Sequence, residues 1–479
     1  MNSKNNDKKM HLLDGAVIYQ INLRAFTPEG TIKAAEKLIP HIAEIGIDIV
    51  YLCPVNTSDD DAEISGFSER QLKSGFNNPK NPYRIKDYYS IDEEYGTTED
   101  LASFSETIHK YEMKLILDAV FYHCGPGAVF IKDHPDYIMR KPDGQPDTGS
   151  WHFPKLNFEN QELRNYLIGA LEYFMIECGA DGYRCDVGDG VPLDFWDEAR
   201  VVLEQINPAV IMINEGTKAE AVESAFDANY DFGWSEAIQK VAKGEKDAFE
   251  IVSYFEAEQD RLPEGANVLR AYENHDYAND AYYDRIEKKL GSRAIEALNV
   301  LNFTVSGVPF VYNGSEIADS NRHSIFGNRF TTGCCVIDWS NALTENGRRR
   351  KNVITRLCGM RHEIPVLMSG KTVFIENDRP AEVLSFIREA YDLDSCKDNR
   401  FPNQCGDECG NEHDICAGCG DITDIAAVVI NLSDKPLTVN IKSDAGFDYV
   451  AAQSGVYFEF KEDNLRLDML PWGYIVGKM

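Results

Sequence analysis

Gly182-Tyr183-Arg184-Cys185-Asp186 reads as a short apolar strand that ends in two charged residues two positions apart. Alternate residues of a strand share a face, so Arg184 and Asp186 point the same way. Seven further segments have the same character: residues 17–23, 47–52, 115–120, 210–214, 226–230, 268–272 and 308–312. Amphipathic helical patterns lie between them. Residues 98–111 place Leu101, Phe104 and Ile108 on one face, with Glu99 and Asp100 in the first turn. Residues 162–178 keep Leu163, Leu167, Ala170, Leu171 and Phe174 in register and stop at Gly179. Pro40 interrupts the first helical pattern and is expected to kink or restart it. Eight strand-then-helix units predict a (β/α)8 TIM barrel. An open doubly wound sheet is disfavoured, because no Gly-x-Gly-x-x-Gly follows the first strand.

After about residue 370 the pattern changes. Residues 372–375, 383–388, 426–432, 437–441 and 457–460 read as short strands without long helices between them. The expected organisation is a catalytic barrel over residues 1–370 and a C-terminal antiparallel β-sandwich domain over 371–479. A length of 479 residues accommodates one large domain of ~250–350 residues and a smaller one.

Hydrophobic residues at 43% and charged residues at 27% are those of a folded chain, which excludes large-scale disorder. A formal net charge of −31 repels phosphate backbones and anionic membranes, so nucleic acid and membrane surfaces are not expected partners. A neutral ligand such as a sugar is compatible with it. The start, MNSKNNDKKMHLLDG, lacks an apolar core of signal-peptide length, and no run of ~18 apolar residues follows. The expected location is cytoplasmic. Nothing in the sequence sets the oligomeric state.

Side chains that do chemistry in a barrel sit at the C-terminal ends of its strands. The third predicted strand runs into Asp118 and His123, the fourth into Arg184 and Asp186, the fifth into Glu215 and the seventh into Asn274, His275 and Asp276. Arg184 is expected to keep Asp186 ionised, as a carboxylate nucleophile requires. Glu215 follows an apolar strand, where burial and neighbouring aspartates raise a carboxyl pKa, as a proton donor requires. Three carboxylates at one barrel mouth suit retaining glycoside hydrolysis, which uses a nucleophile and an acid/base about 5–5.5 Å apart.

These segments together resemble the α-amylase family of glycoside hydrolases, family 13. "DAVFYH" (118–123), "GYRCD" (182–186), "NEG" (214–216) and "ENHD" (273–276) are similar to its four motifs, with further likeness in "FPKLN", "NPYRIKDYYSIDEEYGT" and "GVPFVYNGSEI". The resemblance implies Asp186 as nucleophile, Glu215 as general acid/base and Asp276 as the residue that binds sugar hydroxyls and steadies the transition state. It implies that His123 and His275 contact the sugar, that Arg184 orients Asp186, that Tyr83 forms an aromatic platform, and that Asp118 and Asn274 support the site. A short subdomain inserted at about 124–157 is implied as well. The implied function is retaining hydrolysis of α-1,4-glucosidic bonds in maltooligosaccharides or starch-derived α-glucans. The alternatives are an α-1,6-glucosidase, a cyclomaltodextrinase, a transglycosylase or, more remotely, a non-catalytic scaffold relative.

Three departures concern calcium. Where the family supplies ligands, this chain has Tyr122, Lys155 and Gly190. Lysine is a cation and glycine has no side chain, so neither can donate a carboxylate or imidazole to a hard cation. The family's usual calcium site is therefore expected to be absent, and catalysis is expected to need no cofactor. Asp189 stands near the position of a lysine that often contacts the sugar beyond the cleavage point. A segment at about 394–421 is rich in Cys, Asp, Asn and Gly and interrupts an apparent hairpin. Cys405, Cys409, Cys416 and Cys419 are spaced as structural zinc ligands, with disulfides and an unliganded loop as the other readings.

Overall fold

The computed structural model describes residues 12–76, 78–149, 151–280, 284–330, 335–392, 421–443 and 446–478. Cys405, Cys409, Cys416 and Cys419 lie outside the described residues, so the zinc reading rests on sequence alone. The strands in chain order are β1 (Ile18–Ile21), β2 (Ile49–Leu52), β3 (Asn56–Ser58), β4 (Ile85–Ile91), β5 (Lys114–Ala119), β6 (Gly182–Cys185), β7 (Ile211–Asn214), β8 (Ala228–Asn229), β9 (Asn267–Arg270), β10 (Val308–Tyr312), β11 (Lys371–Phe374), β12 (Val383–Asp392), β13 (Asp421–Asn431), β14 (Leu437–Lys442), β15 (Tyr449–Lys461) and β16 (Asn464–Lys478).

Strands β1, β2, β5, β6, β7, β8, β9 and β10 close into a parallel barrel in that order. Each overlaps one of the eight segments expected from sequence. Ile18, Ile49, Ile116, Ile211, Leu269, Val308 and Phe310 belong to one buried apolar cluster. Two positions further on, the side chains sharing the face of Ile18, Ile49 and Ile116 are Gln20, Tyr51 and Asp118. The lining thus changes from apolar to polar toward the C-terminal ends. Gly182 is required by a close approach: a Cβ there would lie 1.9 Å from the carbonyl oxygen of Ile211 on β7.

Local signals explain the helices. Thr97 and Asp100 form a reciprocal capping box at the start of Thr98–Lys110. Gly179, at φ 69°, ends Gln161–Cys178 in the left-handed conformation. Pro40 restarts the chain as a second helix, Ile39–Ile45, after the short helix Ile32–Glu36. The sequence reading did not foresee the excursion after β2, where β3 pairs with β4 and the helix Glu69–Ser74 lies between them. The inserted segment after β5 is pinned by isolated bridges, among them His123 with Lys155 and Ile138 with Leu156. No helix among the described residues is long and apolar enough to cross a membrane.

The chain divides into two compact units. One comprises Met1–Glu236, Phe255–Ser292 and Gly307–Thr355 and holds the barrel. The other comprises Ala237–Tyr254, Arg293–Ser306 and Arg356–Met479. It carries a six-stranded antiparallel sheet ordered β11-β12-β13-β16-β14, with β15 also on β16. The hairpin interrupted by the cysteine-rich segment is β12 paired with β13. Strand β16 is not among the strands expected from sequence, and Pro471-Trp472-Gly473 interrupts it. Trp472 does take φ 59°, but Gly455 on β15 bulges opposite at φ 64° and pairing resumes at Tyr474. Buried Arg388 donates to the carbonyls of Gly370 and Thr304, tying a helix end to this sheet.

Gly182→Ala forces a methyl group into the β7 backbone. A loss of about 1–3 kcal/mol is expected, read as a lower thermal midpoint by circular dichroism. An unchanged midpoint would show that β6 and β7 separate freely.

Candidate active site

Register delivers the first three polar groups to one point. Asp118 on β5 pairs with Arg184 on β6, and Cys185 with Asn214 on β7, so Asp186 and Glu215 leave adjacent strands at one level. Buried Arg184 then joins three carboxylates. Its Nη1 donates to Asp118 Oδ1 at 2.8 Å and to Asp186 Oδ1 at 2.9 Å, and its Nη2 lies 2.9 Å from Glu215 Oε1. Directly after Asp186 the chain bends at Val187, a β-branched residue at φ 46°. That bend aims the Val187 N–H at Glu215 Oε2, 2.6 Å away.

One cation faces three carboxylates, with Asp118 and Asp186 buried and Glu215 partly exposed. Burial and the Glu215 charge push the Asp186 carboxyl well up, against the pull of Arg184. Burial raises Glu215 too, opposed by Arg184 and reinforced by Asp276. Both carboxyls are therefore displaced upward, each by burial and by the charges beside it.

A second chain of bonds fixes the histidines. Gln20 accepts from the His275 backbone N–H at 3.0 Å, which turns its amide nitrogen toward His275 Nδ1 at 2.7 Å. Nδ1 is thus an acceptor and the ring proton sits on Nε2. Nε2 meets the Tyr83 hydroxyl at 2.6 Å, and Tyr83 in turn donates to Asp118 Oδ2 at 3.0 Å. Tyr51 donates to the same oxygen at 2.6 Å. The Tyr83 and His275 rings stack with centroids 5.6 Å apart. Burial lowers the His275 pKa, in accord with a neutral ring. Burial also takes His123 down to about 4. Its Nε2 donates to the Tyr83 carbonyl at 3.0 Å, while its buried Nδ1 has no hydrogen-bond partner among the described residues.

Asp276 stands apart from Arg184. It binds Arg70 Nη2 at 2.7 Å, and Arg70 Nε binds Asp280 at 3.0 Å. Burial alone would raise the Asp276 carboxyl, but His275 and Arg70 outweigh it and hold it well below the usual carboxylate range. Because His275 is neutral near pH 7, Arg70 is the standing cation there. Asn274 serves the backbone: its Oδ1 accepts from the N–H groups of Asp276 and Tyr277, capping the helix His275–Asp280.

Sequence reasoning missed Gln20, Tyr51 and Arg70. Gln20 and Tyr51 carried a signal, being polar-tipped residues at the ends of apolar strands. Arg70 carried none, since it lies 206 residues from Asp276. The three calcium-related positions serve other contacts. Lys155 pairs with Asp147 at 3.0 Å. Tyr122 fills the space beside Gly190, where a Cβ would meet its ring at 2.8 Å. The Lys155 ammonium and the missing side chain at Gly190 offer neither a carboxylate nor an imidazole at those positions. Among the described residues no group of three or more His, Cys, Asp or Glu side chains is disposed to hold a metal ion.

A parallel eight-stranded barrel with acids gathered at its C-terminal mouth is the architecture of a barrel enzyme using acid–base and carboxylate chemistry. Residues 3–147 and 147–357 match the family model described as "Alpha amylase, catalytic domain", and the chain belongs to the α-amylase family. A cyclomaltodextrinase of Bacillus sp is 24% identical over 390 residues, covering 75% of this chain and 63% of that protein. Neopullulanase 2 of Thermoactinomyces vulgaris is 24% identical over 408 residues, with 76% and 61% covered. The chain thus spans less than two thirds of the length of either relative. The structure of the maltogenic α-amylase AmyB from Thermotoga neapolitana shares the fold, with a TM-score of 0.72 at 24% identity over 100% of this chain and 97% of that one.

Arg70→Gln removes the standing cation from Asp276, whose pKa then rises. Ionised Asp276 would be lost from a higher pH downward. The Asp276 carboxyl, followed by NMR titration, should move up by about 1–3 in pH. A titration that stays in place would show that Arg70 has no hold on Asp276.

Proposed function

We propose that this chain is a retaining α-glucan hydrolase that cleaves α-1,4-glucosidic bonds of maltooligosaccharides by double displacement. The observation that carries the reading is the Arg184 guanidinium shared by Asp118, Asp186 and Glu215. It orients Asp186, and burial raises the Glu215 carboxyl, the direction a general acid requires.

In the first step an Asp186 oxygen attacks the anomeric carbon. The glycosidic C–O bond breaks as Glu215 gives its proton to the departing oxygen. A covalent glycosyl ester on Asp186 results. In the second step Glu215, now a carboxylate, takes a proton from water as that water attacks the same carbon and frees Asp186. Asp276, held ionised by Arg70, stabilises the positive charge developing on the sugar ring. His123 and His275, both neutral, offer hydrogen bonds to sugar hydroxyls, and Tyr83 offers its ring. The substrate is neutral, which suits a chain of net charge −31. Ring opening of cyclomaltodextrins is the second reading, favoured by the cyclomaltodextrinase among the relatives.

Purified protein should be given maltoheptaose, panose and β-cyclodextrin separately, with Asp186→Asn as control. Cleavage of maltoheptaose, falling by on the order of 10⁴-fold or more in the variant, is expected. Cutting of panose alone moves the specificity to α-1,6 bonds, and preference for the ring favours the second reading. A folded protein silent on all three gives weight to a non-catalytic relative.

Calcium is proposed to have no part in this site. Added calcium, and then chelator, should leave the thermal midpoint unchanged. A rise with calcium that chelator reverses would contradict this.

A further inference from the structure

Glu215 leaves β7 on a loop that is gripped from the neighbouring loop after β6. Asp189 makes the grip. Its Oδ1 accepts from Asn214 Nδ2 at 3.0 Å, just before Glu215. Its Oδ2 accepts from the backbone N–H groups of Thr217 at 2.7 Å and Lys218 at 3.2 Å, just after Glu215. Lys218 closes the loop in return, donating from Nζ to the Asp189 carbonyl at 2.8 Å. Behind this, Asn214 Nδ2 also donates to Asn229 Oδ1 at 2.7 Å, and Asn229 Nδ2 to the Lys218 carbonyl at 3.0 Å.

The fit is close enough to dictate the residues between. A Cβ at Gly216 would lie 2.3 Å from the Asp189 carboxylate, and one at Gly188 would lie 2.1 Å from Asn214 Oδ1. Bonds from backbone N–H groups to an ionised carboxylate are the stronger kind. Thr217 and Lys218 are exposed, so packing cannot hold this stretch of loop in place. The two loops therefore exchange support. The loop after β6 fixes the backbone on both sides of Glu215 through Asp189, and fixes the Glu215 carboxyl itself through Val187 N–H.

We propose that Asp189 is the positioning residue for Glu215, setting the point from which the acid/base proton is delivered. This rests on the reading of Glu215 as acid/base. Asp189 touches neither Arg184 nor Asp186, so its loss leaves the nucleophile in place. A displacement of about 1 Å at a proton donor costs on the order of 10²-fold in rate. The loss should fall on the step that needs the proton.

Leaving-group chemistry isolates that step. Maltoheptaose needs a proton on the departing sugar oxygen. α-Maltosyl fluoride does not: the Asp186–C1 bond forms as C1–F breaks, and fluoride leaves as the anion. Azide then replaces water without needing a base. Its nitrogen bonds to C1, the C1–O bond to Asp186 breaks, the carboxylate is regenerated and α-maltosyl azide is released.

Wild type, Asp189→Ala, Asp189→Asn and Glu215→Ala should be assayed on both substrates with and without azide. Asp189→Ala should lose on the order of 10²-fold in kcat on maltoheptaose with KM little changed. It should keep most of its rate on α-maltosyl fluoride with azide and yield the azide product. Asp189→Asn, nearly isosteric and keeping one acceptor oxygen, should show the same pattern more weakly and serves if the alanine variant does not fold. Equal losses on both substrates would make Asp189 merely structural and overturn the proposal. Glu215→Ala separates the two ideas. Rescue of that variant by azide, with no rescue of the Asp189 variants, sinks the proposal alone. Wild-type hydrolysis of maltoheptaose by Glu215→Ala sinks the acid/base reading, and the proposal with it.

Discussion

Arg184, itself buried, carries one positive charge against three carboxylates. Taking such a group out of solvent costs several kcal/mol, and only well-formed partners offset it. Here the partners are Asp118, Asp186 and Glu215, all within 2.9 Å of the guanidinium. Burial and this excess of negative charge raise the carboxyl groups of Asp186 and Glu215 above their ordinary values. Removing the guanidinium would leave these charges unpaired, a change worth about 3–5 kcal/mol for a buried pair.

The cluster needs a dry floor, and the barrel supplies one. Tyr51, Tyr230 and Phe310 pack ring against ring in the barrel cluster, and Arg184 lies over the Tyr51 ring. Each large apolar side chain buried there contributes roughly 1.5–3 kcal/mol, which offsets the desolvation of the charges above. Tyr51 has a part in both layers, with its ring in the floor and its hydroxyl on Asp118.

Order in the site extends beyond charge. The sequence of bonds from Gln20 through His275 and Tyr83 to Asp118 permits one tautomer of one histidine. Strain is used in the same way at Val187, whose left-handed backbone turns an N–H onto Glu215. These contacts place donors and acceptors before any sugar arrives, which is how an electrostatic site avoids reorganising during reaction.

The eight barrel strands and the acids at their ends were legible in the sequence, because both are local properties. Apolar alternation is set by period-two geometry, and a carboxylate just past a strand must emerge at that strand's C-terminal end. Hence Asp186, Glu215 and Asp276 could be named before any fold was drawn. Which of them share a cation could not. Arg184 reaches Asp118 and Glu215 but not Asp276, because inter-strand register and loop path decide that, and neither is written in residue spacing. Arg70 on Asp276 and Asp189 beneath Glu215 are contacts between loops distant in the chain. Strand β16 was hidden for a related reason: its Pro-Trp-Gly break is tolerated only because β15 bulges opposite it. Local chemistry determined which groups this protein owns, and tertiary structure decided which of them meet, since only closure of the barrel brings its strand ends together.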